Sequence, residues 1–233
     1  MKIAVVGITD IPLGKQNVKD ARLDQADKLV KAKKKTYVQV ELAGEDGLLE
    51  ADAIITFPDT RMDLVLRDLE FVETRLGRNP QEPEKTLLNK IKSALEKEEL
   101  ISTLGLSPDE EKLIAGATFL TNKPIVMVTK DELADIGVFL VRVLKESNYI
   151  SFFTVGDKEN RAWLIPKGTT AWGAAGAIHS DIQKGFIRGE IISFDDFIQA
   201  GGESQAKQSG KMRLEQKEYI MQDCDLANFR FNK

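Results

Sequence analysis

Gly7, Gly14 and Lys15 are the residues of this 233-residue chain whose types and order come nearest to a phosphate site. They stand in "VVGITDIPLGKQN", where an apolar run ends in a glycine and a Gly-Lys pair follows. A phosphate-binding loop places four residues between its first glycine and its Gly-Lys, so that successive backbone N–H groups curl round one phosphate. It closes on a Ser or Thr hydroxyl that holds Mg²⁺. Here six residues separate Gly7 from Gly14, Pro12 has no N–H to offer, and Gln16 stands where the hydroxyl belongs. The loop is out of register. Gly14 and Lys15 keep one weaker use, anion binding at the start of a helix, and against it stands a plain surface turn from the first strand to Val18.

Other residues with chemistry are few. One histidine, His179, and one cysteine, Cys224, exclude a His/Cys metal cluster and an internal disulfide, and no metal site is expected. Asp223 and Asp225 flank Cys224 and disfavour its thiolate. His179, in "GAIHSD", forms with Asp181 and Lys184 a recognition surface at a helix end. With no nucleophile or orienting partner near it in sequence, it reads as a capping or packing residue before a catalytic base, and no catalytic residue is assigned. Trp163 and Trp172 suit stacking on unpaired bases, weighed against a core place for Trp163 on its strand. Glu41 ends a strand without a second ligand and reads as solvated. Lys31 to Lys35, "KAKKK", would attract RNA or an acidic protein, with a solvated helix end as the plainer reading.

The elements that must position these residues follow from periodicity. With 42% apolar and 30% charged residues the chain is an ordinary globular composition, and no window of roughly 18 uncharged apolar residues marks a membrane span. The expected location is cytoplasmic. A net charge of −4 gives no general attraction to nucleic acid, and no DNA or membrane partner is expected. Residues 3–6, 37–40, 53–57 and 125–128 are short β-branched runs that predict a small parallel sheet. Between the last two, Met62, Val65, Leu69, Val72 and Leu76 alternate spacings of three and four, as do Leu88, Ile91 and Leu95 beyond Asn79-Pro80, which predicts an antiparallel helical hairpin. Ser107, Pro108 and Glu110 begin a further helix with a capping box. Residues 133–146 predict a helix with Ile136, Phe139, Leu140, Val143 and Leu144 on one face. Beyond Asn148, "ISFFTV", "RAWLI", "GFIRGEII", "KEYIM" and "NFRF" read as strands with helical "AWGAAGAIHSDI" between the second and third, a β-grasp arrangement.

The segments "ISFFTVGDKENRAWLIPKGT", "AAGAIHSDIQKGFIRGEIISFDDFI" and "GKMRLEQKEYIMQDCDLANFRFN" resemble, almost continuously from Tyr149 to Asn232, the TGS domain of the YchF-type (Obg-related) P-loop ATPases. "DARLDQADKLVKAKKKTYVQVELAG" resembles the family's approach to its DxxG motif, "LRDLEFVETRL" the first helix of its arm, and "FLTNKPIVMV" the strand before its base-recognition motif. The resemblance implies a nucleotidase domain, an inserted helical arm and a β-grasp TGS domain. Position by position, the catalytic parts depart from it. The first switch segment is missing, Glu41 replaces the Asp of DxxG with Gly44 kept, and the second switch is reduced to "EDGLL". Thr129 stands at the asparagine of the base motif, with Glu132 kept. At Cys224 the family pattern has a turn glycine. Phosphoryl transfer is mostly positioning and charge neutralisation, so these losses together leave little machinery for it.

The expected fold is therefore α/β. Residues 1–147 form a small parallel-sheet remnant of a P-loop nucleotidase domain with a helical hairpin inserted at about 61–120, and 148–233 form a TGS domain with a β-grasp fold. The expected protein is a truncated, degenerate member of the family with a non-catalytic binding or regulatory role. The resemblance implies action through the TGS domain on ribosome, RNA or a translation or stress partner. The candidate partner-binding residues are His179, Asp181, Lys184, Arg188, Arg161 and Lys167. No cofactor is expected. Two alternatives stand beside this: a weak ATP or GTP binder using Mg-ATP or Mg-GTP at Gly7, Gly14 and Lys15 through a rearranged loop, and a protein scaffold without RNA contact.

Overall fold

The computed structural model describes residues 1–232; Lys233, last of the expected C-terminal domain, lies outside the described residues. In chain order the elements are β1 (Lys2–Val6), β2 (Gly14–Asn17), α1 (Ala21–Leu29), β3 (Lys34–Thr36), β4 (Gln39–Ala43) and β5 (Ala53–Thr56). There follow α2 (Arg61–Gly77), α3 (Glu84–Leu95), α4 (Pro108–Ile114), β6 (Ile125–Met127) and α5 (Ile136–Glu146). The remainder is β7 (Tyr149–Thr154), β8 (Glu159–Pro166), α6 (Ala171–Ile178), α7 (Ser180–Lys184), β9 (Phe186–Ile192), α8 (Phe194–Ala200), α9 (Glu203–Gln208), β10 (Arg213–Glu215) and β11 (Leu226–Phe231). Among the described residues no helix is long and apolar enough to cross a membrane.

The chain divides into two compact units, one of Met1–Gln16 with Val40–Ile136, the other of Asn17–Gln39 with the chain from Gly137 onward. The first carries a sheet of order β2-β4-β1-β5-β6, in which β1 runs parallel to β4 and β5, and β5 to β6. Ile3, Ala4, Val5 and Val6 are all buried, as strands of a parallel sheet covered on both faces must be. The strand expected at 37–40 lies further on, at Gln39–Ala43, because the pairing with β1 runs through Glu41, Leu42 and Ala43. Between β5 and β6, Val65 and Val72 of α2 and Leu88, Ile91 and Leu95 of α3 share one apolar cluster with Ile101, Ile114 and Phe119. Ser107 and Glu110 form the reciprocal capping box that opens α4.

The second unit is a mixed sheet of order β10-β9-β11-β7-β8-β3. Pairs β7/β8, β9/β11 and β9/β10 are antiparallel, and β11/β7 and β3/β8 are parallel. Ala171, Ala174 and Ala175 of α6 pack on Phe152, Ile165, Ile191 and Phe229, small residues letting the helix approach the sheet closely. The compact unit does not begin at Asn148. Residues 17–39 join it because β3 adds a strand beside β8, and the buried Asn160 amide of β8 donates to Asp27 Oδ1 at 2.7 Å and to the Val30 carbonyl. "KEYIM" forms no strand but a single bridge, Thr170 to Ile220. The helix expected through "AWGAAGAIHSDI" is two, because His179 is extended (φ −164°, ψ 143°) and ends α6 before α7 begins.

Candidate functional site

At the end of β1 the chain turns through Gly7 in the left-handed region, φ +68°, where a side chain is strained. The space a Cβ would take there is already filled by the Thr60 methyl, 2.7 Å away. Gly14 also has positive φ, +98°, and opens not a helix but the strand β2, the edge of its sheet. Anion binding by a helix start at Gly14-Lys15 is thus corrected: the "GKQN" backbone is committed to strand geometry beside β4, and no helix dipole points from it. Lys15 is exposed, and the Gln16 amide donates back to the Pro12 carbonyl at 3.0 Å. Thr129 donates through its N–H and hydroxyl to the Glu132 carboxylate at 2.9 and 3.0 Å, so the two residues matched to the base motif hold each other in a local turn. Among the described residues no group of three or more His, Cys, Asp or Glu is placed to hold a metal ion.

The six candidates on the C-terminal residues fall in four places. His179, Asp181 and Lys184 come together around α7 on an open depression shared with Phe231. There His179 Nδ1 accepts the Asp181 N–H at 3.1 Å, a capping role rather than a basic one. Gly185 beside them allows the chain to touch itself: a Cβ would lie 2.1 Å from the Asn232 carbonyl oxygen. Arg188 belongs elsewhere. It lies across from Arg230, and alternation puts both on the face opposite Phe229, away from α6. Both guanidiniums address the buried Glu190, Arg230 at 2.8 Å and Arg188 at 3.9 Å, and the Arg230 hydrogen bond holds that carboxyl below the usual range. Arg161 caps the Trp163 ring, its guanidinium 4.0 Å from the ring centre, while the indole N–H donates to Thr154 Oγ1. Trp163 is half-buried against the α6-side core, and Trp172 is exposed. Lys167 follows the far end of β8 from Arg161, its N–H donated to the Asn148 carbonyl at 2.8 Å.

Two corrections concern charge. The lysines expected at a helix end lie beyond it: α1 stops at Leu29, and Lys34 and Lys35 enter β3, where they pair with Glu159 and Asp24. Sequence reasoning also missed Arg22. Its guanidinium takes Asp20 through two nitrogens, at 2.9 and 2.7 Å, and Asp223 through the third at 2.6 Å, a partnership between residues 201 positions apart that no local pattern announces. Next to it Cys224 sits buried in the left-handed region, φ +63°, and burial followed by the Asp223 charge pushes its thiol well above the ordinary range.

A sequence family named for the YchF GTPase C-terminal region, and described as a protein of unknown function, matches residues 149–232. The ribosome-binding ATPase YchF of Pasteurella multocida is 34% identical over 232 aligned residues, which take in 73% of this chain and 64% of that protein. The chain thus spans just under two thirds of that relative's length. The ribosome-binding ATPase YchF of Haemophilus influenzae is 33% identical over 256 residues, 83% of this chain and 69% of that protein. The solved structure of the Schizosaccharomyces pombe YchF GTPase matches with a TM-score of 0.77 over 99% of this chain and 97% of that one, at 21% identity, which is a likeness of fold.

Proposed function

Because the chain belongs to the YchF family, we propose that it is a degenerate member that works by binding, not by hydrolysing nucleotide, with a ribosome or ribosomal RNA as its partner and a TGS domain at residues 149–232 as its binding part. A cytoplasmic location goes with that role. One observation carries the non-catalytic half of the reading: Gly14–Asn17 is an exposed edge strand. A phosphate cradle needs consecutive N–H groups converging at the start of a helix, whereas those of a strand alternate in direction. Gln16 adds no metal-binding hydroxyl, and its amide is turned back onto the Pro12 carbonyl. The ribosomal half is supported by the names of the relatives, which are called ribosome-binding ATPases.

Calorimetry with Mg-ATP and Mg-GTP tests the first half. The expected result is no binding tighter than about millimolar, near −4 kcal/mol. Micromolar affinity that Lys15→Ala abolishes would replace this reading with that of a nucleotide-binding protein using a rearranged loop.

A further inference from the structure

The second unit holds a cavity of about 390 Å³, within the size range of small-molecule sites. Val141 and Leu144 of α5, Ile150 of β7 and Met221 give it an apolar wall. Two cations, Lys145 and Lys167, stand on its lining, and both are exposed. Their main chains meet at Asn148, whose N–H donates to the Lys145 carbonyl at 3.3 Å and whose carbonyl accepts the Lys167 N–H at 2.8 Å. The main chains of both lysines are thus tied to one residue, and both lysines line the one cavity.

The charges lining the cavity are unequal in their commitments. Its carboxylates, Asp20 and Asp223, are both spent on the Arg22 guanidinium, at 2.7 and 2.6 Å, and Asp223 takes the Ser151 N–H as well. Neither lysine has an acidic partner among the described residues, and three cations against two carboxylates leave the lining with one net positive charge. An apolar wall beside a pair of uncommitted ammonium groups suits a ligand that is itself two-ended.

We infer that this cavity binds an amphipathic organic anion, a flat apolar body about the size of linked aromatic rings seated on Val141, Leu144, Ile150 and Met221, with its phosphate, sulfonate or carboxylate held between Lys145 and Lys167. Nothing in this depends on ribosome binding or on the Gly14-Lys15 turn.

The probe is 8-anilinonaphthalene-1-sulfonate, titrated by fluorescence into the folded full chain at low salt. Saturable one-to-one binding is expected. Lys145→Ala with Lys167→Ala weakens it by about tenfold or more, as loss of charge-assisted hydrogen bonds does. The paired change to Arg leaves it within about threefold, and Lys15→Ala leaves it unchanged. Val141→Trp, a half-exposed wall position, removes the signal. The neutral N-phenyl-1-naphthylamine binds the same site without feeling the lysine changes. Both lysines are exposed, so their variants keep the far-ultraviolet circular dichroism and melting curve of the parent, and they decide the matter even where Val141→Trp does not fold. Absence of saturable binding by the folded parent, or sulfonate binding indifferent to the double alanine change, overturns the assignment.

Discussion

Asp68 brings a carboxyl into the interior of the first unit, where only 3% of the residue is exposed. Its partners are N–H and O–H donors: the Leu120 N–H at 3.0 Å, and the Thr121 N–H and hydroxyl, each at 2.7 Å. These three bonds tie α2 to the segment leading into β6. Burial outweighs them and raises the carboxyl's pKa above its ordinary value. A carboxyl with a raised pKa in the fold takes up its proton more readily there than in the unfolded chain. Its contribution is therefore full below the unfolded pKa of about 3.9 and is lost as pH rises through the folded value. Asp68→Ala is expected to cost about 3 kcal/mol by stranding buried donors. The gap between parent and variant, taken from urea unfolding curves, should be wider at pH 3.5 than at pH 7. A gap that widens toward neutral pH would mean that the three bonds, and not burial, govern this carboxyl.

Helices and strands differ in how far the sequence discloses them. The capping box at Ser107 and Glu110 is written in neighbouring residues and forms as read. The apolar runs of β1, β5 and β6 likewise announce buried strands. β2 and β3 do not, because "GKQN" and "KKT" hold strand geometry only through hydrogen bonds from distant neighbours, and a polar edge strand has no apolar pattern of its own. The same cause hid the true setting of the candidate site. The spacing of Gly7, Gly14 and Lys15 was legible, but the strand that Gly14–Asn17 forms was not, and which side of the sheet Arg188 faces depends on its register with Arg230. For the two long helices the apolar spacing was sufficient, and it yields a sharp test. Ile91 is fully buried in the cluster shared by α2 and α3, whereas Leu66 of α2 is 54% exposed. Ile91→Ala should cost about 2 to 5 kcal/mol and Leu66→Ala less than about 0.5 kcal/mol in thermal or urea unfolding. Equal costs would reject the assignment of the inward face.

At the scale of the whole molecule, the net charge of −4 and the balance of eleven Lys and Arg against eleven Asp and Glu from Asn148 onward leave no general attraction to RNA. If a ribosome is the partner, binding must use a local excess of cation. The compact units supply one that residues 148–233 alone do not reveal. Residues 17–39 add β3 to the edge of the second sheet and bring with it Lys31 and Lys33, both exposed and outside the ion pairs that Lys34 and Lys35 make with Glu159 and Asp24. Arg161 lies on the adjoining strand, paired with Thr36 across β3 and β8 and stacked on Trp163. By contrast, Lys184 of α7 has Asp181 beside it, and elsewhere on the sheet Arg188 and Arg230 share Glu190. Phosphate contacts weaken steeply with salt, so co-sedimentation with ribosomes should fall from 50 to 200 mM salt. Lys31→Glu with Lys33→Glu should reduce it several-fold and flatten that salt dependence while leaving stability within about 0.5 kcal/mol. Lys184→Glu, on α7, should change it little. Loss of co-sedimentation with Lys184→Glu and its survival in the Lys31, Lys33 pair would move the contact to α7 and the depression beside Phe231, and binding indifferent to salt would point to a protein partner reached through apolar contacts instead.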